Sequence, residues 1–138
     1  MPVETMKSEL CSLFAATLPA EPAERFSELL GFKPSRWSKI DPWRVWHHLE
    51  HPEVSEWKGS AQELLTAIQF AAHAQSEVTV LRCGHDQPAL QKQRLRDALL
   101  GGSAVFEGFV SVVPGRLGLA INHDGGMCVL SNDAPLQR

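Results

Sequence analysis

The chain has 138 residues, with 13 lysine and arginine side chains against 16 aspartate and glutamate. This length predicts a single compact domain over residues 1–138 that buries a sizeable core. A content of 43% hydrophobic residues argues against wholesale disorder. A net charge of −3 argues against a surface devoted to nucleic acid. No apolar run approaches about 20 residues, and the start carries acids where a signal peptide is apolar. We therefore expect a cytoplasmic protein with no membrane association.

The first half of the chain, about residues 1–76, predicts four helices. Apolar residues recur every three to four positions in its opening segment, which is the period of one helical face. Asp41 and Pro42 are typical of an N-cap and a first helical turn. Ser60 and Glu63 form a capping-box pattern ahead of another apolar stripe. The predicted helices lie at about 3–18, 22–30, 42–50 and 60–75.

The second half, about residues 77–132, predicts the order β-α-β-β-β. Its first segment, Glu77 to Cys83, is rich in β-branched residues, and Asp124-Gly125-Gly126 is a strong hairpin signal. We expect strands at about 77–83, 103–113, 116–122 and 127–131, a helix at about 86–100 and a frayed tail at 133–138. The fold class is therefore predicted as α+β, a helical half packed on a small, mostly antiparallel sheet, with the order αααα-β-α-β-β-β.

All four tryptophans lie in one short stretch of the chain, at Trp37, Trp43, Trp46 and Trp57. On an α-helix over 42–50, Trp43 and Trp46 share a side with His47. Tryptophan is enriched at binding hot spots because it combines a large apolar area with one hydrogen-bond donor. The alternative is that these side chains are ordinary core residues.

Carboxylates accompany this aromatic stretch, and together the two groups predict a binding surface. Aromatic anchors beside acids suit a basic protein partner, since the rings supply buried area and the acids steer the encounter. The sequence thus predicts a non-catalytic binding protein of inhibitor or immunity type that neutralises a protein partner. An enzyme toxin with a basic domain is one partner of this kind, and the oligomeric state stays open. The predicted partner-binding residues are Trp43, Trp46, His47, Glu50, Glu53 and Glu56.

A small enzyme with a cysteine and histidine site is the main alternative. The three cysteines are too widely spaced to indicate a disulfide framework. Cys83 ends a predicted strand and precedes a predicted helix, whose start stabilises a thiolate. The candidate catalytic residues are Cys83, His85 and His123.

No metal or cofactor is expected, but one pair of histidines has ligand spacing. His47 and His51 are four residues apart, so an α-helix would place them on one face. The pattern lacks the glutamate that follows the first histidine in the zincin motif. Solvated histidines at a helix end are the simpler interpretation.

An RNA-contacting module is a third alternative. On the predicted helix over 86–100, Lys92 and Arg96 are neighbours four residues apart, and Arg94 points elsewhere. Lysine and arginine side chains contact phosphate in nucleic-acid complexes. An ordinary polar helix face explains the same residues, so a nucleic-acid partner is not favoured.

Overall fold

The computed structural model describes residues 2–69, 72–84, 88–101 and 106–132. In this part of the chain, four α-helices and two short 3₁₀ helices accompany six strands. The helices are α1 (Val3–Thr17), α2 (Ala20–Leu30), η1 (Pro34–Lys39, 3₁₀), η2 (Pro42–His48, 3₁₀), α3 (Ala61–Ile68) and α4 (Leu95–Leu100). The strands are β1 (Val54–Trp57), β2 (Glu77–Arg82), β3 (Ala89–Arg94), β4 (Gly108–Val113), β5 (Leu117–Ile121) and β6 (Met127–Ser131).

The described strands form one antiparallel sheet in the order β1-β6-β5-β4-β2-β3. Strands β4, β5 and β6 follow one another through tight turns, as the sequence predicts. Gly115 and Gly125 lie in these turns with φ of 69° and 84°, a conformation that glycine adopts without steric cost. The α+β class is confirmed.

Helices cover both faces of this sheet. On one face, α1, α2 and the 3₁₀ helices enclose Phe14, Phe26 and Phe109, whose ring centroids lie 5.0 to 5.5 Å apart. On the other face, α3 and α4 pack against Val80 and Val110. Because the central strands are buried on both sides, their sequences are apolar at most positions instead of alternating, although Ser111 is a buried polar residue in β4.

The predicted element order is wrong in the first half of the chain. The segment expected as an α-helix at 42–50 is the 3₁₀ helix η2, and the fourth helix ends at Ile68 instead of continuing to Gln75. Strand β1 was not predicted at all. It pairs with β6, whose residues lie 70 to 76 positions further along the chain, so no local pattern reveals it.

The order is also wrong in the second half, where a helix was expected at 86–100. Residues Ala89–Arg94 form β3, and the helix α4 is only Leu95–Leu100. Glutamine, lysine and arginine favour helices locally, but residues 89–94 pair along the whole length of β2, and this tertiary pairing overrides the preference.

Some predictions fall outside the described residues. They concern His85 as a candidate catalytic residue, the start of the strand expected at 103–113, and the tail at 133–138.

Candidate functional site

Helix η2 arranges its side chains in three columns. A 3₁₀ helix has three residues per turn, so side chains three residues apart lie directly above one another. Pro42 and Val45 are buried, Trp43 and Trp46 are half-buried, and Arg44 and His47 are exposed. The Asp41 carboxylate caps the helix by accepting from the Trp43 amide at 3.0 Å. The period of three therefore pairs the two tryptophans at the surface and moves His47 away from them, which corrects the predicted shared side.

The two half-buried indoles contact each other and a histidine from the far end of the sequence. The ring centroids of Trp43 and Trp46 are 5.4 Å apart, at an interplanar angle of 49°. The Trp43 indole N–H donates to Nδ1 of His123 at 3.0 Å, and the two rings meet edge to face at 5.8 Å. His123 lies in the turn between β5 and β6, so the hairpin holds one side of the aromatic pair.

Glu56 on β1 holds the other side of the pair. Its Oε2 accepts from the Trp46 indole N–H at 3.0 Å, and its Oε1 accepts from the Lys58 ammonium at 2.7 Å. The bond from Lys58, followed by that from Trp46, lowers the pKa of the Glu56 carboxyl, although burial acts in the opposite direction. Glu56 is therefore a fixed anion beside the indoles.

Two further carboxylates adjoin His123, the histidine that accepts from Trp43. Oε2 of Glu107 lies 3.4 Å from Nδ1 of His123, and Oδ1 of Asp124 lies 3.4 Å from its Nε2. We call the set linked by these contacts the tryptophan patch: Trp43, Trp46, His123, Glu56, Glu107 and Asp124.

The structure joins only some of the predicted partner-binding residues directly. Trp43, Trp46 and Glu56 meet in the tryptophan patch. Glu53 is instead paired with His51, whose Nε2 lies 3.1 Å from Glu53 Oε2, and Glu50 is exposed. Glu50 and Glu53 are nevertheless near Glu56 in the sequence.

The sequence alone does not associate His123, Glu107 and Asp124 with the tryptophans. His123 was predicted as part of an enzyme site, and Asp124 was recognised as a turn residue. Only the pairing of distant strands brings these positions to η2. No local signal in the sequence marks Glu107.

The other two tryptophans are core residues. Trp37 is 3% exposed, and its indole N–H donates to the Leu30 carbonyl at 3.2 Å. Trp57 is 8% exposed and donates to the Ser60 carbonyl at 3.0 Å. The alternative interpretation of tryptophan as core therefore holds for these two side chains.

Cys83 lies in an environment that opposes nucleophilic chemistry. It is 1% exposed, and the next described element after it is β3, not a helix start. Burial, with smaller contributions from the charges of Glu107 and Asp41, raises the pKa of its thiol. A nucleophilic cysteine needs a lowered pKa and access to solvent. These features favour a core role for Cys83.

The α-helical turn that would place His47 and His51 on one face is not formed. Helix η2 ends at His48, and His51 lies in the following turn, bonded to Glu53. In the described ranges, no three histidine, cysteine or acidic side chains are grouped so as to hold a metal ion.

The basic helix face predicted for RNA contact is not formed either. Lys92 and Arg94 lie on β3, while Arg96 lies on α4. The Lys92 ammonium is 3.3 Å from Oε1 of Glu9, which also accepts from the Thr79 hydroxyl at 3.0 Å. Lys92 is therefore already paired with a carboxylate of its own chain.

None of the helices in the described ranges combines the length and the apolar character that crossing a bilayer requires. The chain matches no protein-family model, no curated protein and no solved structure.

Proposed function

We propose that this protein is a non-catalytic, cytosolic binding protein of inhibitor or immunity type, which neutralises a protein partner through the tryptophan patch. The observation that carries the proposal is the contact pair of Trp43 and Trp46 at the surface. Both indole N–H groups are satisfied internally, by His123 and Glu56, so the rings are held in place before a partner arrives. Anchors that are already ordered lose less conformational entropy on binding.

The carboxylates of the patch favour a basic partner. Glu56 accepts from the Trp46 indole, and Asp41 caps η2. The carboxylates of Glu107 and Asp124 each lie 3.4 Å from a ring nitrogen of His123. Lys58 offsets one of these charges. Surrounding acids attract a cationic surface and disfavour an anionic one, while the indoles supply apolar area.

An enzyme toxin with a basic substrate cleft, such as a nuclease, suits a surface of this kind. A cleft that binds nucleic acid is lined by lysine and arginine, which carboxylates can occupy in place of phosphates. Small acidic immunity proteins act in this manner, and the comparison is an analogy of surface character.

The test is a titration of the captured partner with variants of the patch. The partner is crosslinked to the chain in its source cells, identified by mass spectrometry, produced separately and titrated by calorimetry. We expect the double variant Trp43→Ala/Trp46→Ala to lose at least about 2 kcal/mol of binding free energy, or roughly thirtyfold in affinity, and to lose inhibition of the partner.

The matched control is Phe32→Ala, because Phe32 is an aromatic residue that is 44% exposed outside the patch. It should bind and inhibit like the wild type. Unchanged affinity in the double variant, with its fold verified by circular dichroism, contradicts the proposal.

A further inference from the structure

Strand β1 is an edge of the described sheet, and its register shows which backbone groups face outward. The Ser131 amide donates to the Glu53 carbonyl at 2.9 Å, so residues 53, 55 and 57 direct their backbone groups toward β6. Residues 54 and 56 therefore direct theirs to the outside. The Val54 amide is already bonded to the His51 carbonyl at 3.0 Å. Among the described residues, no backbone group pairs with the Val54 carbonyl or with the amide and carbonyl of Glu56, so these three groups are left for a further strand.

A groove of about 450 Å³ runs along this outer edge. The turn between η2 and β1 forms one wall, and Leu49 at its start is a large apolar side chain that is 39% exposed. The groove therefore offers apolar surface and outward backbone groups together. Its lining includes Leu49, Glu50, His51, Ser55, Glu56 and Lys58.

We propose that an extended, basic segment of the protein partner adds to the sheet along the outer edge of β1. The inference rests on the proposed function, because it assigns the same partner a second contact beside the tryptophan patch. Glu56 belongs to both the patch and the groove, so the two surfaces are continuous. In strand addition, main-chain hydrogen bonds provide affinity, and alternating side chains provide specificity.

Charge determines which segment fits. Glu50 and Glu56 line the groove, and Glu56 faces the same side of the sheet as η2. Basic side chains at alternate positions of an added strand meet these carboxylates. Lys58 competes for Glu56 through its 2.7 Å bond, so we expect Lys58→Ala to tighten binding of a basic segment severalfold.

A second copy of this chain fits the edge less well. Residue 56 is the outward position with both backbone groups available, so symmetric pairing of two β1 strands places one Glu56 opposite the other. Like charges directly opposite each other destabilise an antiparallel pair. Sedimentation at increasing concentration measures this alternative, and dimers that protect the Glu56 amide from exchange overturn the proposal.

The experiment uses the full chain and a blocked peptide of alternating arginine and valine residues. Binding is followed by the amide NMR signals of the protein, and the largest shifts are expected at residues 54–58. A matched peptide carries N-methyl groups at alternate residues, which keeps the charges and side chains but removes the donors that face β1. We expect it to bind at least about tenfold more weakly.

Two substitutions at Glu56 separate the backbone from the carboxylate. Glu56→Ala removes only the side chain, whereas Glu56→Pro also removes the outward amide without breaking a bond to β6. We expect Glu56→Pro to bind the peptide at least about fivefold more weakly than Glu56→Ala. If Glu56→Pro does not fold, the methylated peptide still decides the question with the wild-type protein.

The outcomes also distinguish this proposal from the proposed function. Equal binding of the two peptides, or no shifts at residues 54–58 at millimolar peptide, overturns strand addition and leaves the tryptophan patch untouched. Conversely, if the peptide pairs with β1 while Trp43→Ala/Trp46→Ala still inhibits the partner, strand addition stands and the patch is the wrong anchor.

Discussion

Glu56 links the fold of β1 to the position of the aromatic pair. Its carboxylate joins Trp46 on η2 to Lys58, the residue that directly follows β1. These two bonds lower its pKa in the folded protein below the ordinary value of 4.5. The unfolded chain therefore binds a proton at this position more readily than the folded chain does. The ionised Glu56 carboxylate therefore stabilises the folded protein at a pH above its ordinary pKa, and this stabilisation is lost as the pH falls through the lowered pKa of the folded state.

We expect the variant Glu56→Gln to be less sensitive to acid than the wild type. The free energy of unfolding in urea, measured from about pH 6 to about pH 3, should fall more gently in the variant, because an amide cannot be protonated in this range. Lys58→Met removes the main cause of the lowered pKa and should give an intermediate slope. Parallel curves for all three proteins would show that Glu56 contributes nothing to the acid response.

At the scale of elements, local sequence patterns predicted the position of a helical segment better than they predicted the type of helix that it forms. The segment beginning at Asp41 and Pro42 was correctly predicted to be helical because capping is a local effect. Its 3₁₀ period was not predicted, because residues three apart, such as Pro42 and Val45, also lie on one side of an α-helix. The capping box of Ser60 and Glu63 is confirmed in both of its hydrogen bonds, since each bond joins residues three apart.

The contact of α1 with β5 makes a testable prediction at the same scale. A Cβ atom at Gly118 would overlap Leu13 Cδ2 and lie 2.7 Å from the Val110 carbonyl. We therefore expect Gly118→Ala to lower the free energy of unfolding by roughly 1–3 kcal/mol through overpacking. In the background Leu13→Val, which removes both Cδ atoms, that loss should shrink.

The control is Gly125→Ala, where φ is 84° and no atom lies within 4 Å of the added Cβ. The loss of unfolding free energy in Gly125→Ala comes from backbone strain alone, so Leu13→Val should not change that loss. Urea unfolding of the four combinations at each glycine measures both effects. If the Gly118→Ala loss is the same in both backgrounds, close packing of α1 on β5 is not its cause.

At the scale of the whole molecule, the candidate surface combines a local part with a long-range part. The clustering of tryptophans and acids between residues 37 and 57 is visible in the sequence, and it correctly draws attention to Trp43, Trp46 and Glu56. The contribution of His123 depends on β6 lying between β1 and β5. No local pattern in the sequence specifies that strand order, so the sequence alone assigns His123 and the tryptophans to two different candidate sites.

The charge distribution of the whole molecule makes a kinetic prediction for the proposed partner. If the carboxylates near the indoles steer a basic surface, the association rate constant should fall about tenfold between about 0.05 and 0.5 M salt. The variant Glu107→Gln/Asp124→Asn should lower that rate constant at low salt with little change in dissociation. Trp43→Ala should mainly accelerate dissociation, because the indole contributes after contact is made. Stopped-flow fluorescence separates the two constants.

The matched control Glu21→Gln/Glu24→Gln removes two exposed acids from α2 and makes the same change in net charge. An equal reduction in the control variant would assign the steering to net charge instead of to the tryptophan patch.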